Sequence, residues 1–266
     1  MLDIKRYYTM KRYYAKLINT TSGHRVVFHH MAKCGGTSVS YALRRRYFLS
    51  YAGFTSEPIY LAMETFHPDA TQMELIDHVR MFRQQLLLQH LFSDIRCISG
   101  HVHFSEAAYD LFNHQYAFIT TLRDPVDLLL SSYRYDREQT NQRWQTNLTL
   151  EAYLETERAS FFGLGFAHFY SGIPITPEPD QSALVDRAKS NLQKFALIGF
   201  TDDMPAFARR LRKLLGVRLS IGHENRTRTG RASSSDSVAP HIRRRIEAIS
   251  EANLEIYEYA RNKLSG

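Results

Sequence analysis

The chain has 266 residues, and 44% of them are hydrophobic, which is enough for the core of one α/β domain and excludes global disorder. The formal net charge is +7, so nucleotides, acidic glycans, nucleic acid and anionic lipid are the favoured classes of partner. No stretch approaches the roughly 18 apolar residues that a membrane-spanning helix requires. The N-terminus lacks the apolar segment of a secretory signal, and Cys34 and Cys97 make no disulfide framework, so we expect a cytoplasmic protein.

Short segments rich in Val, Ile and Phe alternate with longer amphipathic segments. The short segments predict strands over residues 25–31, 96–101, 116–122 and 195–201. The amphipathic segments predict helices over residues 73–92, 125–135, 204–216 and 241–264. This alternation predicts a single α/β domain, residues 1–266, with a central, mainly parallel sheet flanked by helices. Within it we expect an N-terminal helical extension over 1–24 and a lid loop over the polar residues 224–238.

The helix predicted over 125–135 has the clearest local signals. Pro125 suits the first turn, and the carboxylate of Asp124 can cap the N-terminus. Apolar side chains recur at three- and four-residue spacing from Val126 to Tyr133, which predicts one buried face.

Ligand sites in parallel α/β sheets lie beyond the carboxyl ends of the strands. The residues that directly follow the four predicted strands should therefore converge on one site. These residues are 33–38, 101–105, 123–127 and those from Thr201 onward.

A glycine pair follows the first predicted strand in the stretch Lys-Cys-Gly-Gly-Thr-Ser. Gly35 and Gly36 allow a tight turn and a close approach of the backbone to a ligand. The helix that starts near Thr37 points free N–H groups and the positive end of its dipole at that turn. Lys33 adds a cation, and Thr37 and Ser38 each add a hydroxyl. The stretch therefore predicts a phosphate or sulfate site.

The same stretch differs from the Walker A loop of nucleotide kinases. In that motif the lysine follows the glycines, whereas Lys33 precedes them. The nearest acidic residue that could hold Mg²⁺ is Asp124, which is better explained as a helix cap. A magnesium-dependent kinase is therefore disfavoured.

Residues 30–43, His-Met-Ala-Lys-Cys-Gly-Gly-Thr-Ser-Val-Ser-Tyr-Ala-Leu, resemble the 5′-phosphosulfate loop of sulfotransferases that use 3′-phosphoadenosine 5′-phosphosulfate (PAPS). Residues 121–135 are similar to the 3′-phosphate motif of that family, with Arg123 and Ser131 eight residues apart. Residues 99–104, Ser-Gly-His-Val-His-Phe, resemble the segment that carries the catalytic histidine in the heparan and uronyl 2-O-sulfotransferase branch. Residues 197–211 and 224–231 are looser matches.

This resemblance implies a P-loop-like nucleotide-binding sulfotransferase fold and transfer of a sulfuryl group from PAPS, without a metal, to a hydroxyl of a saccharide or glycoconjugate. The implied partners are that nucleotide donor and the hydroxyl-bearing acceptor, with no nucleic acid. Ala32 stands where the family usually has proline, and Ser99 stands where animal relatives can have a further histidine.

The resemblance also implies a role for each matching residue. Lys33 would stabilise the departing phosphate and His101 would be the general base. His103 and Glu106 are weaker candidates for a catalytic part. The residues implied to bind the nucleotide are Lys33, Cys34, Gly35, Gly36, Thr37, Ser38, Arg123, Ser131 and, in the lid loop, Arg226, Thr227, Arg228 and Arg231.

Cys34 is interpreted as a spacer beside the anion site that is sensitive to alkylation. The acceptor pocket is expected from residues 50–75 and 140–180.

Two other functions remain open at this point. The first is a metal-dependent P-loop nucleotide kinase, for which a chelator should abolish activity. The second is a non-catalytic protein that binds acidic glycan or nucleic acid through the +7 charge, for which binding should fall steeply with salt.

Overall fold

The computed structural model describes residues 24–138, 144–176, 178–222 and 238–264. Five strands form one sheet in the order β2-β3-β1-β4-β5, and all neighbouring strands run parallel. The strands are β1 (Arg25–His29), β2 (Tyr51–Gly53), β3 (Cys97–Gly100), β4 (Tyr116–Leu122) and β5 (Leu197–Phe200). The predicted α/β fold with a parallel sheet is confirmed. The predicted N-terminal extension up to residue 23 and the predicted lid loop up to residue 237 lie outside the described residues.

Twelve helices surround the sheet in the described part of the chain. They are α1 (Gly36–Arg46), α2 (Ser56–Phe66), α3 (Gln72–Phe92), α4 (Glu106–Phe112), α5 (Pro125–Glu138), α6 (Leu150–Tyr153), α7 (Glu157–Gly163), α8 (Gly165–Ser171), α9 (Gln181–Leu192), α10 (Met204–Leu215), α11 (Pro240–Ile249) and α12 (Glu251–Leu264). The helices predicted over 73–92, 125–135 and 204–216 are confirmed as α3, α5 and α10. None of the described helices combines the length and apolar character that crossing a bilayer requires.

Helices cover both faces of the sheet. On one face, apolar side chains of α1 and α10 such as Leu43 and Phe207 pack against Val26 and Phe28 of β1. On the other face, α3, α8, α9 and α12 enclose a larger core around Val27. The sheet is therefore buried on both sides, and its carboxyl-terminal edge is the place left for a site.

The start of α5 follows the prediction closely. Oδ1 of Asp124 accepts hydrogen bonds from the backbone N–H of Val126 at 3.0 Å and of Asp127 at 3.1 Å. Val126 and Leu129 are buried, as are the other apolar residues of the predicted face. Asp124 is therefore a helix cap, and its position fixes where Arg123 leaves the sheet.

The prediction of a single helix over 241–264 is wrong, because the helix is interrupted at Ser250, between α11 and α12. The break allows Asn253 to satisfy two backbone groups of a neighbouring segment. Its amide donates to the carbonyl of Phe162 at 2.8 Å and accepts from the N–H of Phe166 at 2.8 Å. Those two backbone groups lie at the junction of α7 and α8. Because they are buried, they need hydrogen-bond partners, and the side chain of Asn253 supplies them.

Candidate active site

The carboxyl ends of the central strands meet at the loop between β1 and α1. His101 follows β3, and its Nδ1 donates to the carbonyl of His30 at 2.6 Å. Arg123 follows β4, and its Nη1 donates to the carbonyl of Lys33 at 3.2 Å. Two of the neighbouring strand ends are thus tied to one loop by hydrogen bonds. The predicted convergence is confirmed for these ends.

The glycine pair forms a tight turn at the start of α1. Gly35 is the N-cap and has a φ of 70°, a left-handed conformation that disfavours any side chain, and α1 begins at Gly36. A Cβ atom at Gly35 would lie 3.3 Å from Cγ2 of Thr201, so the residue after β5 joins the same site. A Cβ atom at Gly36 would overlap the imidazole of His30. Both glycines are therefore needed for this packing, and the helix N-terminus is directed at the turn.

Lys33 is the cation of this loop. Its Nζ lies 3.6 Å from the centroid of the Tyr135 ring. Burial and, to a smaller extent, the charge of Arg123 lower the pKa of Lys33 to about 8, against the opposing charges of Asp136 and Glu138. Lys33 is therefore largely charged at neutral pH and loses its charge in mildly alkaline solution.

The two residues of the predicted 3′-phosphate motif are Arg123, directly after β4, and Ser131, on α5. Arg123 is partly buried, and one of its donors is used by the carbonyl of Lys33. Ser131 is partly exposed in the second turn of α5. Ser131 and Tyr135 are four residues apart, so they share one face of α5, and Tyr135 contacts Lys33. Arg123 therefore contacts this loop directly, whereas Ser131 is related to it through the helix face that it shares with Tyr135.

His101 has the geometry of a neutral base. A carbonyl can only accept a hydrogen bond, so the contact with His30 places the proton on Nδ1 and leaves Nε2 with its lone pair. Burial lowers the pKa of His101 to about 4, and the charge of Arg83 acts in the same direction, against the hydrogen bond to His30. Nη1 of Arg83 also donates to the carbonyl of His101 at 3.1 Å, which holds the residue in place.

His30 belongs to the site, and the sequence reasoning missed it. The centroids of the His30 and His101 rings are 4.4 Å apart, and the His30 ring rests against Gly36. His30 therefore joins the base to the glycine turn. The signal in the sequence was weak, because a histidine three residues before Lys33 has no fixed spacing to His101.

A cavity of about 420 Å³ opens beside His101. One wall is a single face of α1, where Thr37, Tyr41 and Arg44 recur at helical spacing. The opposite wall is formed by residues 51 and 53–55, so only the first part of the predicted segment 50–75 lines this cavity. The described residues of the predicted segment 140–180 do not line it. Residues 144–146, 153, 156–158 and 161 line a second cavity instead, together with Gln72 and Met73 of the predicted segment 50–75.

The interpretation of Cys34 as a spacer that is sensitive to alkylation is corrected by its burial, which also removes its thiol from the implied nucleotide-binding residues. Cys34 is fully buried in the core on one face of the sheet, and burial raises the pKa of its thiol to about 12. Its backbone N–H donates to the carbonyl of Met31 at 3.3 Å. Cys34 therefore anchors the loop to the core, and neither its thiol nor its N–H is available to a ligand.

The two weaker candidates for the base lie outside the site. Nδ1 of His103 donates to the carbonyl of His168 at 3.0 Å, and its ring packs against Phe169. Glu106 forms surface salt bridges with Arg187 at 2.6 Å and Lys194 at 3.0 Å, and Lys194 lowers its pKa. Neither residue lines the cavity beside His101, and the side chain of each is engaged elsewhere.

The remaining predicted ligands fall into two groups. Thr37 and Ser38 are partly exposed in the first turn of α1, directly after the glycine pair. Arg226, Thr227, Arg228 and Arg231 of the predicted lid loop lie outside the described residues. Within the described ranges, no group of three or more His, Cys, Asp or Glu side chains is arranged as a metal site.

Comparisons with known proteins give no family for this chain. No protein-family model matches it, and no curated protein matches it. Among solved structures, one similar chain comes from a structural study of the PezAT chromosomal toxin-antitoxin system of Streptococcus pneumoniae. That chain has a TM-score of 0.37 and 10% sequence identity, over 93% of this chain and 96% of the other. A likeness this distant carries no conclusion about function, which must be argued from the site itself.

Proposed function

We propose that this chain is a PAPS-dependent sulfotransferase that transfers a sulfuryl group to a hydroxyl of a saccharide. The observation that carries this proposal is that His30 links a neutral histidine, His101, to the glycine turn at the start of α1. The carbonyl of His30 holds His101 as a base at Nε2, and the ring of His30 rests on Gly36 at the start of α1. A base linked in this way to an anion site would suit the transfer of an anionic group to a hydroxyl.

The nucleotide would lie across the loop between β1 and α1. The phosphosulfate would bind the N–H groups at the start of α1, with the hydroxyls of Thr37 and Ser38 beside it. Arg123 would hold the 3′-phosphate, because a guanidinium has five N–H donors and only one of them is used by the carbonyl of Lys33. Ser131 would donate to the same phosphate.

The chemical step would take place between Lys33 and His101. The acceptor oxygen attacks sulfur, its proton moves to Nε2 of His101, and the bond between sulfur and the 5′-phosphate oxygen breaks. The products are a sulfate ester and 3′-phosphoadenosine 5′-phosphate. Lys33 stabilises the charge that develops on the departing oxygen, an interaction that is stronger in the transition state than in the ground state.

The acceptor would occupy the cavity of about 420 Å³ beside His101. This volume falls within the roughly 300–1,000 Å³ of ligand pockets that hold small molecules. Tyr41 and Tyr51 offer rings and hydroxyls, and Arg44 offers a cation. The cavity therefore suits a polar acceptor larger than a single functional group.

The test is sulfuryl transfer from labelled PAPS to a panel of neutral and acidic saccharides, with release of 3′-phosphoadenosine 5′-phosphate measured in parallel. His101→Ala should lower kcat by about 10²–10⁴-fold and Lys33→Ala by about 10²–10³-fold. Arg45→Ala, on an exposed position of α1 outside the cavity, is the control and should keep full activity. Full activity of both the His101 and Lys33 variants would refute the proposal, as would nucleotide turnover that requires Mg²⁺ and ATP.

A further inference from the structure

A second cavity, of about 220 Å³, lies between α3, α5 and α7, and the proposed reaction assigns it no role. We propose that this cavity binds one uncharged sugar ring. Its volume is below the roughly 300–1,000 Å³ that drug-sized ligands occupy, which fits a ligand of about one ring. The residues that argue for the ligand are Gln72, Asp136, Trp144, Gln145, Glu157 and Arg158.

The buried charges in this cavity cancel one another. Asp136 is fully buried and accepts from Nε of Arg158 at 2.9 Å, from Nη2 of Arg158 at 3.0 Å and from the hydroxyl of Tyr153 at 3.0 Å. The carboxylate and the guanidinium form a bidentate pair, so their opposite charges compensate each other. Glu157 is exposed and adds a negative charge at the cavity, which disfavours an anionic ligand. An uncharged ligand is therefore favoured.

The rest of the lining combines rings with planar amides. The guanidinium of Arg158 lies 3.9 Å from the centroid of Trp144, and the ring of Tyr60 meets the same indole edge-on at 6.1 Å. These contacts fix the orientation of the indole. Gln72 and Gln145 each supply both a donor and an acceptor to the cavity, which matches hydroxyl groups that both donate and accept. A sugar ring presents apolar C–H faces to the aromatic side chain and hydroxyls to the amides.

Two routes of contact connect this cavity with the proposed active site. On α5, Asp136 lies in the cavity, and the adjacent Tyr135 packs against Lys33. The second route runs through Tyr60, whose ring contacts Trp144 and the guanidinium of Arg83. Arg83 in turn donates a hydrogen bond to the carbonyl of His101. The cavity is therefore placed to hold a second unit of an oligosaccharide acceptor. This last step rests on the proposed sulfuryl transfer, whereas the binding of a sugar does not.

The chain has one tryptophan, so tryptophan emission reports on this cavity alone. The full chain, without PAPS, is titrated with cellobiose, lactose, chitobiose and an acidic disaccharide, and binding is followed by emission and by calorimetry. We expect a saturable signal with at least one neutral sugar and weaker binding of the acidic one. No binding of any neutral sugar by either method, or tighter binding of the acidic sugar, would overturn the proposal.

The matched variants are Gln72→Ala and Gln85→Ala, which make the same change on one helix, although only Gln72 lines the cavity. Loss of a hydrogen-bonding amide should weaken neutral-sugar binding by about three- to tenfold in the Gln72 variant and leave the Gln85 variant unchanged. Equal affinities in the two variants would contradict the assignment of the cavity. Sugar binding without any sulfuryl transfer would refute the proposed function and leave the sugar site standing, so the two failures are distinguishable.

Discussion

The rate of the proposed reaction should depend on the charge of Lys33. Its pKa is lowered to about 8, so the ammonium is present below this pH and is lost as the pH rises through it. The charged fraction falls from about nine tenths at about pH 7 to about one tenth at about pH 9. The kcat/KM for PAPS should therefore fall about tenfold over this range, because kcat/KM reports ionisation of the free enzyme.

The variant Lys33→Arg tests whether loss of the Lys33 charge causes the alkaline fall in kcat/KM. A guanidinium keeps its charge throughout the range, since its pKa lies above about 12, so the alkaline fall in kcat/KM should disappear in this variant even if its absolute rate is lower. Tyr135→Phe keeps the ring that packs on Lys33 and should keep the alkaline fall. If wild type and Lys33→Arg lose activity along the same curve, Lys33 is not the titrating group and the reasoning is refuted.

Three further outcomes follow from the site and the core. Arg44→Gln should raise the KM for the acceptor by about tenfold or more, whereas the adjacent Arg45→Gln, outside the cavity, should not change it; equal effects would contradict the placement of the acceptor. Gly36→Ala should displace the His30 ring and weaken nucleotide binding measured by calorimetry, and unchanged affinity would contradict the close approach. His29 is buried with its pKa lowered to about 4, from an ordinary value of 6.5, so the unfolded chain binds its proton more tightly. Its contribution to the free energy of unfolding should be complete above about pH 6.5 and fall by about 1.4 kcal/mol per pH unit towards pH 4. Urea titrations from neutral to acidic pH check this, and a stability that does not change with pH would contradict it.

The parts of the fold that the sequence predicted well carry their own local signals. α5 has a capping aspartate, a proline in its first turn and a regular apolar face, and all three are present in the structure. β2 was missed because it has three residues at the edge of the sheet, too few for an alternating pattern. The break at Ser250 was missed because its cause is a tertiary contact of Asn253 with the distant residues Phe162 and Phe166.

The sequence predicted the parts of the site that depend on which residues directly follow a strand. It did not predict the parts that depend on where a side chain points. The glycine turn, Lys33 and Arg123 could be placed at one sheet edge from the parallel topology alone. Sequence spacing could not show that Cys34 points into the core. It also could not show that His30 supports His101, because that contact joins two different strand ends.

The central claim is that the loop between β1 and α1 binds a 3′-phosphorylated nucleotide without a metal. The most direct measurement is calorimetric titration of the full chain with 3′-phosphoadenosine 5′-phosphate and with ATP, each with and without a chelator. We predict binding of 3′-phosphoadenosine 5′-phosphate that the chelator does not change and that Arg123→Gln weakens by about ten- to a hundredfold. Binding of ATP that requires Mg²⁺, together with no binding of 3′-phosphoadenosine 5′-phosphate, would contradict it.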